Sequence, residues 1–147
     1  MKSRMVEDDI FFEDEFDDTS LDLIRVVAVD DEPEVISSIV SLLSEFGFEV
    51  AGETDSEKAV ELVKRYKPDV VLLDIMMPGL DGYELADKLT EEGYVKDVPV
   101  VFLTAKDYHD DACLSFAHGG TLFIKKPFMA QELAETLRVA VSLSRSM

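Results

Sequence analysis

Basic residues are scarce in this chain of 147 residues. Lysine and arginine together number 14, against 32 aspartates and glutamates, so the formal net charge is −18. A protein that binds DNA or RNA directly needs a basic stripe to displace counterions from the phosphate backbone, and no such stripe is visible. The composition therefore argues against direct nucleic-acid binding.

Cysteine and long apolar runs are also rare. The single cysteine, Cys113, cannot form an internal disulfide, which is typical of proteins in a reducing cytosol. No apolar run approaches the ~20 residues that span a bilayer. The first residues lack the charged-then-apolar order of a secretory signal. We expect a cytoplasmic protein with no membrane insertion.

The first 23 residues differ in composition from the rest. They contain nine acidic and two basic residues, interspersed with three phenylalanines, and follow no helical or strand period. Such a segment is typical of a solvated leader held open by its own charge, although the phenylalanines leave open docking on a partner or on the domain itself. We expect a flexible acidic extension over residues 1–23, one domain over 24–147 and no effector domain.

From residue 24 onward, apolar strands alternate with amphipathic helices five times. The predicted strands cover residues 24–29, 48–51, 70–73, 98–103 and 122–124, and the predicted helices cover 33–46, 56–66, 82–92, 108–118 and 130–143. Continuously apolar strands between such helices imply a parallel sheet covered on both faces, and right-handed crossovers make it doubly wound. The predicted fold class is α/β, with five parallel strands and five helices.

Polar side chains fall at the carboxyl ends of the predicted strands. They are Asp30 and Asp31 after the first strand, Asp74 after the third, Thr104 after the fourth, and Lys125 and Lys126 after the fifth. In an open parallel sheet, ligands bind outside these ends, at the crevice where the strand order reverses. We therefore expect a site with three carboxylates, a hydroxyl and an ammonium.

This set of groups suits a hard cation and a phosphoryl group. Clustered carboxylates repel one another, and oxygen ligands with several waters are what Mg²⁺ prefers. The usual transition-metal ligands are missing, because the chain has one cysteine and both histidines lie in the weaker fourth helix. A carboxylate nucleophile can form an acyl phosphate, while Mg²⁺ and a lysine neutralise the phosphoryl charge.

Each of these residues also has an ordinary structural interpretation. Asp30 and Asp31 could cap the first helix, because carboxylates favour its positive end. Asp74 could be a loop acid, Thr104 could begin the next helix, and Lys126 could be a solvated lysine. Their joint placement on four strand ends, in this order, favours a functional site.

Four motifs at these positions resemble the receiver domain of response regulators in two-component signalling. They are DDEP at residues 30–33, LDIMMPGLDG at 73–82, LTA at 103–105 and KPF at 126–128. The resemblance covers about residues 24–145. It implies a flavodoxin-like sheet with strand order 2-1-3-4-5, as in chemotaxis receivers.

The resemblance also implies roles for the acidic residues. Asp74 is implied to be the phosphoacceptor and a metal ligand. Asp31 would bind Mg²⁺ directly, and Asp30 would act mainly through water. Met76 would contribute its backbone carbonyl to the metal.

The remaining motif residues are implied to contact the phosphoryl group or to respond to it. Thr104 and Lys126 would contact the phosphoryl group. Lys126 is favoured over Lys125 because the family's lysine directly precedes the proline, typically across a cis bond. Phe123 falls at the aromatic switch position, which is more often tyrosine.

The function implied is a phosphorelay receiver. It would accept a phosphoryl group from a histidine kinase or phosphotransfer protein and would not be an enzyme, beyond assisting its own phosphorylation and dephosphorylation. The new charge would change the face formed by the fourth helix, fifth strand and fifth helix, which a downstream protein would read. The oligomeric state is not predicted.

Two other functions remain open at this point. One is a phosphorylation-independent binding module on the same fold, although such receivers usually lose an acid, the threonine or the lysine. The other is a phosphatase of the haloacid-dehalogenase type. That family has a second aspartate two residues after the nucleophile, and this chain has Met76 at that position. His109 and His118 are expected to be solvated helix residues, because neither lies in the helical bundle of a phosphotransfer domain.

Overall fold

A computed structural model describes residues 23–105 and 117–146 of the chain. Its elements are β1 (Ile24–Val29), α1 (Pro33–Glu45), β2 (Phe48–Glu53), α2 (Ser56–Tyr66), β3 (Val70–Asp74), α3 (Gly82–Glu91), β4 (Val100–Thr104), β5 (Gly120–Lys125) and α4 (Ala130–Arg145). The acidic segment and most of the predicted helix at 108–118, with Cys113, lie outside the described residues.

The five strands form one sheet in the order β2-β1-β3-β4-β5, and every neighbouring pair is parallel. The predicted doubly wound sheet and its order are thereby confirmed. Four of the five predicted helices fall within the described residues. The strand order reverses at β1 and β3, where Val29 lies opposite Leu73. The carboxyl ends of these two strands are therefore neighbours.

Local signals explain where two of the helices begin. Asp55 caps α2 by accepting a hydrogen bond from the Glu57 N–H at 2.9 Å. Asp81 and Glu84 form a reciprocal capping box at the start of α3, with each side chain accepting the other's backbone N–H. Such caps satisfy N–H groups that have no partner within the helix. The Asp81 cap also fixes where the loop after β3 ends.

Alternate strand residues face opposite helical layers. One layer packs β1, β3, β4 and β5 against α1 and α4 through buried residues such as Ala28, Leu72, Leu103, Ile39 and Leu137. The other packs β1, β3 and β4 against α2 and α3 through residues such as Val29, Leu73, Phe102, Val63 and Leu85. A strand buried on both faces reads as a continuous apolar run, which is the pattern seen in the sequence.

Several element ends differ from the prediction. β2 and β5 extend to Glu53 and Lys125, because pairing with a neighbouring strand holds polar end residues in the sheet. β4 begins at Val100 rather than Val98, since the Val98 N–H turns back to the Val95 carbonyl. None of the helices in the described part of the chain has the length and apolar character that crossing a membrane requires.

Candidate functional site

Asp74 is the last residue of β3 and is 5% exposed. The preceding strand residues Val70 to Leu73 are fully buried between the two helical layers, which anchors the backbone that carries this carboxylate. In register it lies opposite Leu103 of β4. Asp74 is therefore part of the sheet and not a loop acid.

Gly82, the first residue of α3, packs directly against the backbone of Asp74. Its N–H donates to the Ile75 carbonyl at 2.8 Å. A Cβ at this position would overlap the Asp74 carbonyl oxygen and lie 2.8 Å from Ile75 Cα. Only glycine lets the helix approach the strand end this closely.

Asp30 follows β1 and is fully buried. Its N–H donates to the Glu53 carbonyl at 3.2 Å, and its Oδ1 accepts from the Glu32 N–H at 3.0 Å. The N-cap of α1 is Glu32, which makes no side-chain cap bond, so neither Asp30 nor Asp31 is the cap residue. Asp31 is more exposed than Asp30 and Asp74.

Lys126 lies directly after β5 and reaches back over the site. Its Nζ lies 2.8 Å from Asp30 Oδ2 and 3.3 Å from Asp74 Oδ1. Its N–H donates to the Thr104 carbonyl at 2.7 Å, which joins the ends of β4 and β5. Lys125 is exposed by contrast. The peptide bond before Pro127 is cis, as the resemblance implied.

Thr104 ends β4 and is 1% exposed. It continues the strand and does not begin a helix. Because β3, β4 and β1 are adjacent in the sheet, its place puts a hydroxyl-bearing residue at the same edge as the carboxylates. The structure thus gathers the residues of four strand ends at one edge.

The carboxylates form a compact anionic cluster. Asp30, Asp31 and Asp74 each offer an oxygen within 4.8 Å of the others. The pKa of Asp74 is raised from 3.8 to about 6. Burial of its carboxyl group is the largest cause and the charge of Asp30 is the second, while Lys126 acts in the opposite direction. Burial alone would lower the pKa of Lys126, but its contacts with Asp30 and Asp74 outweigh burial and raise it.

The cluster has the chemistry of a divalent-cation site. One ammonium offsets one of three negative charges, so the ionised site keeps an excess of about two. Its donors are all carboxylate oxygens, which suit a hard cation such as Mg²⁺. In the described ranges, no second group of His, Cys, Asp or Glu side chains is close enough to share an ion.

Met76 and Phe123 lie at different depths around this edge. Met76, two residues after Asp74, has a side chain that is 58% exposed. Phe123 of β5 is partly buried against the α2 and α3 layer and pairs in register with Phe102. The Phe102 ring in turn contacts Tyr83 of α3, with centroids 5.0 Å apart.

His118 differs from its prediction as a solvated helix residue. Its ring stacks on Tyr83 at 4.6 Å, and its Nδ1 lies 2.9 Å from Asp87 Oδ2. His118 lies in the turn before β5, so its contacts with Tyr83 and Asp87 join that turn to α3. No local pattern in the sequence predicts this contact, because it joins residues 31 positions apart.

Ser56 and Gly82 also contribute to the site, and neither was predicted from the sequence. A glycine at the first position of a helix is a usable signal, because most other residues favour the helical conformation more than glycine does. Ser56 carries no comparable signal. Its hydroxyl matters only through contacts with a loop that lies more than 20 residues further along the chain.

The sheet order and the strand-end cluster define a class of protein. Residues 26–138 match the family model described as the response regulator receiver domain, so the chain belongs to the receiver domain family. Receiver domains are generally signalling modules and not enzymes in the usual sense.

Known proteins of this family are similar along most of the chain. Protein PilH of Pseudomonas aeruginosa is 30% identical over 82% of this chain and 99% of its own length. Response regulator MprA of Mycobacterium leprae is 36% identical over 78% of this chain, which spans 50% of the length of MprA. The BeF3-activated N-terminal receiver domain of Klebsiella pneumoniae RstA is 35% identical, with a TM-score of 0.73 over 80% of this chain and 97% of that one.

Proposed function

We propose that the chain is a phosphorelay receiver that accepts a phosphoryl group on Asp74 in a Mg²⁺-dependent step. The observation that carries the proposal is the position of Lys126, whose ammonium contacts both Asp30 and Asp74 across the sheet edge. A bound cation would need the same two carboxylates that Lys126 contacts. The lysine is therefore placed to neutralise the negative oxygens of a phosphoryl group that binds there.

Asp74 is the nucleophile in this proposal. Its ionised carboxylate attacks the phosphorus of a phosphohistidine, so an O–P bond forms and the N–P bond breaks. The leaving imidazole on the donor then takes up a proton. A pKa of about 6 leaves the Asp74 carboxylate mostly ionised near pH 7.

The other carboxylates would hold the cation. Asp30 and Asp31 are fixed beside Asp74 by β1, and the Met76 carbonyl is expected to complete the ligand set. When bound, Mg²⁺ would neutralise charge on the phosphoryl oxygens and on the cluster. Asp30 keeps its orientation through the Glu32 N–H and the Lys126 ammonium.

Thr104 and Lys126 would connect phosphorylation to the surface formed by β5 and α4, called the output face. A phosphoryl group on Asp74 offers oxygens that the Thr104 hydroxyl and the Lys126 ammonium would contact. Because Lys126 leads from β5 to α4, its movement would bias the packing of Phe123 and of that face. A downstream protein would then bind to the region of β5 and α4.

The phosphodonor is proposed to be a histidine kinase or a phosphotransfer protein, with the protein working in the cytoplasm. Residues 1–23 are proposed to be an acidic extension to the receiver domain. These statements are supported by the family of the chain and by its acidic composition.

Labelling by a small phosphodonor tests the proposal. Acetyl phosphate with Mg²⁺ should label the parent protein, and labelling should be lost when Mg²⁺ is chelated. Asp74→Ala should abolish labelling, whereas Asp97→Ala, which changes an exposed acid away from the site, should not. If Asp74→Ala accepts label as well as the parent does, Asp74 is not the acceptor.

A further inference from the structure

Ser56 holds the loop that follows Asp74. It is the first residue of α2 and is 3% exposed. Its Oγ donates to the Pro78 carbonyl at 3.2 Å and accepts from the Leu80 N–H at 3.1 Å. One buried hydroxyl therefore satisfies two backbone groups on opposite sides of Gly79.

The same loop is closed at its base. The Gly82 N–H donates to the Ile75 carbonyl at 2.8 Å, so the residues between them form a ring that begins beside Asp74. Gly79 has φ +76° at the ring's tip, where a Cβ would lie 3.3 Å from Ser56 Oγ. The tip thus lies directly against the amino end of α2.

Met76 and Met77 show why the two hydrogen bonds of Ser56 Oγ, together called the Ser56 clamp, matter for this loop. Met76 has a side chain that is 58% exposed, so it contributes little packing to fix the loop, whereas Met77 is 8% exposed. The backbone of Ile75 and Met76 directly follows Asp74, which is one of the three clustered carboxylates. Apolar packing of Met77 and of the partly buried Leu80 also holds the loop, but the hydrogen bonds from Ser56 fix its backbone at the tip.

We infer that Ser56 is a positioning residue, whose hydroxyl fixes the loop of residues 75–81 so that the Asp74 edge can bind a divalent cation. The inference deepens the proposed function and rests on it for the consequence in phosphorylation. Ser56 touches neither the cation nor the phosphoryl group; it acts through the loop backbone. Groups that orient the ligands of a metal commonly change its affinity by an order of magnitude or more.

Magnesium titration of three variants tests the inference. Ser56→Ala should weaken Mg²⁺ binding by about tenfold, as measured by calorimetry. Ser56→Thr keeps the hydroxyl and should restore binding close to that of the parent. Val63→Ala removes buried contacts of the same helix but leaves the clamp, so it should lower stability without weakening Mg²⁺ binding.

Hydrogen exchange of the Leu80 amide supplies a readout that does not depend on Mg²⁺. In the parent this amide should exchange slowly, and in Ser56→Ala it should exchange about tenfold faster or more. Fast exchange of the Leu80 amide in the parent would overturn the inference, even if the variant did not fold.

The remaining outcomes separate this inference from the proposed function. Equal loss of Mg²⁺ affinity in Ser56→Ala and Val63→Ala would show general destabilisation and would overturn the role of Ser56. Unchanged affinity in Ser56→Ala would do the same. If the parent binds Mg²⁺ but Asp74 accepts no phosphoryl group, the proposed function fails, while the titration and exchange results still decide the role of Ser56.

Discussion

The Lys126 ammonium lies 2.8 Å from Asp30 Oδ2, and these two residues are 96 positions apart in the chain. Asp30 is fully buried and the Lys126 side chain is 20% exposed, so the pair is only partly screened by water. The lysine therefore balances a charge that the fold has removed from solvent. The consequences of removing it can be measured.

Lys126→Met should destabilise the Mg²⁺-free protein by about 3 kcal/mol, because the buried Asp30 would lose the positive charge that it contacts. It should also raise the pKa of Asp74 further, since Lys126 now lowers it. Carboxyl NMR titration and urea unfolding measure the two effects. Saturating Mg²⁺ should reduce the loss of stability, and Lys125→Met, the exposed neighbour, should show neither effect.

Asp74→Asn should make the Mg²⁺-free protein more stable at pH 7. The folded-state pKa of Asp74, about 6, lies above its ordinary value of 3.8. Between about pH 4 and pH 6 the folded protein therefore holds a proton that the unfolded chain has released, and the Asp74 contribution to stability falls as pH rises through this range. The two-unit difference corresponds to at most about 3 kcal/mol at pH 7.

Urea unfolding of the parent and Asp74→Asn from pH 4 to pH 7.5, both with chelator, checks this sign. The gap between the two proteins should widen with rising pH and level off above about pH 6.5. A gap that is the same at both ends of the range would contradict burial of an ionisable Asp74.

Gly82→Ala should destabilise the protein by about 1–3 kcal/mol and weaken Mg²⁺ binding, because the added Cβ overlaps the Asp74 carbonyl. Helix propensity alone predicts the opposite sign, a gain of at most about 1 kcal/mol, which is the value for a helix interior. Gly93→Ala is the matched control. Gly93 has φ +78° and open space around it, so its change should cost about 1 kcal/mol and leave Mg²⁺ affinity unaltered.

Thr104→Val should separate phosphorylation from the response to it. The change keeps the shape of a side chain that is 1% exposed but removes its hydroxyl. We expect beryllofluoride and Mg²⁺ still to bind at Asp74, because the carboxylates and Lys126 are unchanged. The changes in NMR chemical shift that beryllofluoride causes around Phe123 should be smaller than in the parent. Changes of the same size in both proteins would show that Thr104 does not transmit the response to Phe123.

The sheet was predictable because its signals are local. A buried strand is a continuous apolar run, and the run before Asp74 could be interpreted without knowing its neighbours. The ends of β2 and β5 were predicted less well, since Glu53 and Gly120 are poor strand formers that only a paired neighbour keeps in the sheet.

Predicting the site required two different kinds of inference. Topology alone brings Asp30 and Asp74 to adjacent strand ends, so their closeness follows from the strand order. The contacts of Ser56 with Pro78 and Leu80 follow from no periodic pattern, because they depend on how the amino end of α2 meets a loop. Side-chain contacts of this kind appear only once the backbone is placed.

The parallel sheet gives the molecule two unlike ends. Leu23 lies at the amino end of β1, and six strand residues separate it from Asp30. At about 3.3 Å per residue, the Asp30 and Asp74 end of the sheet lies about 20 Å from the point where the acidic segment joins the domain. A fluorescent protein fused through residues 1–22 would therefore join the domain at the end opposite Asp74 and leave the carboxylate cluster uncovered.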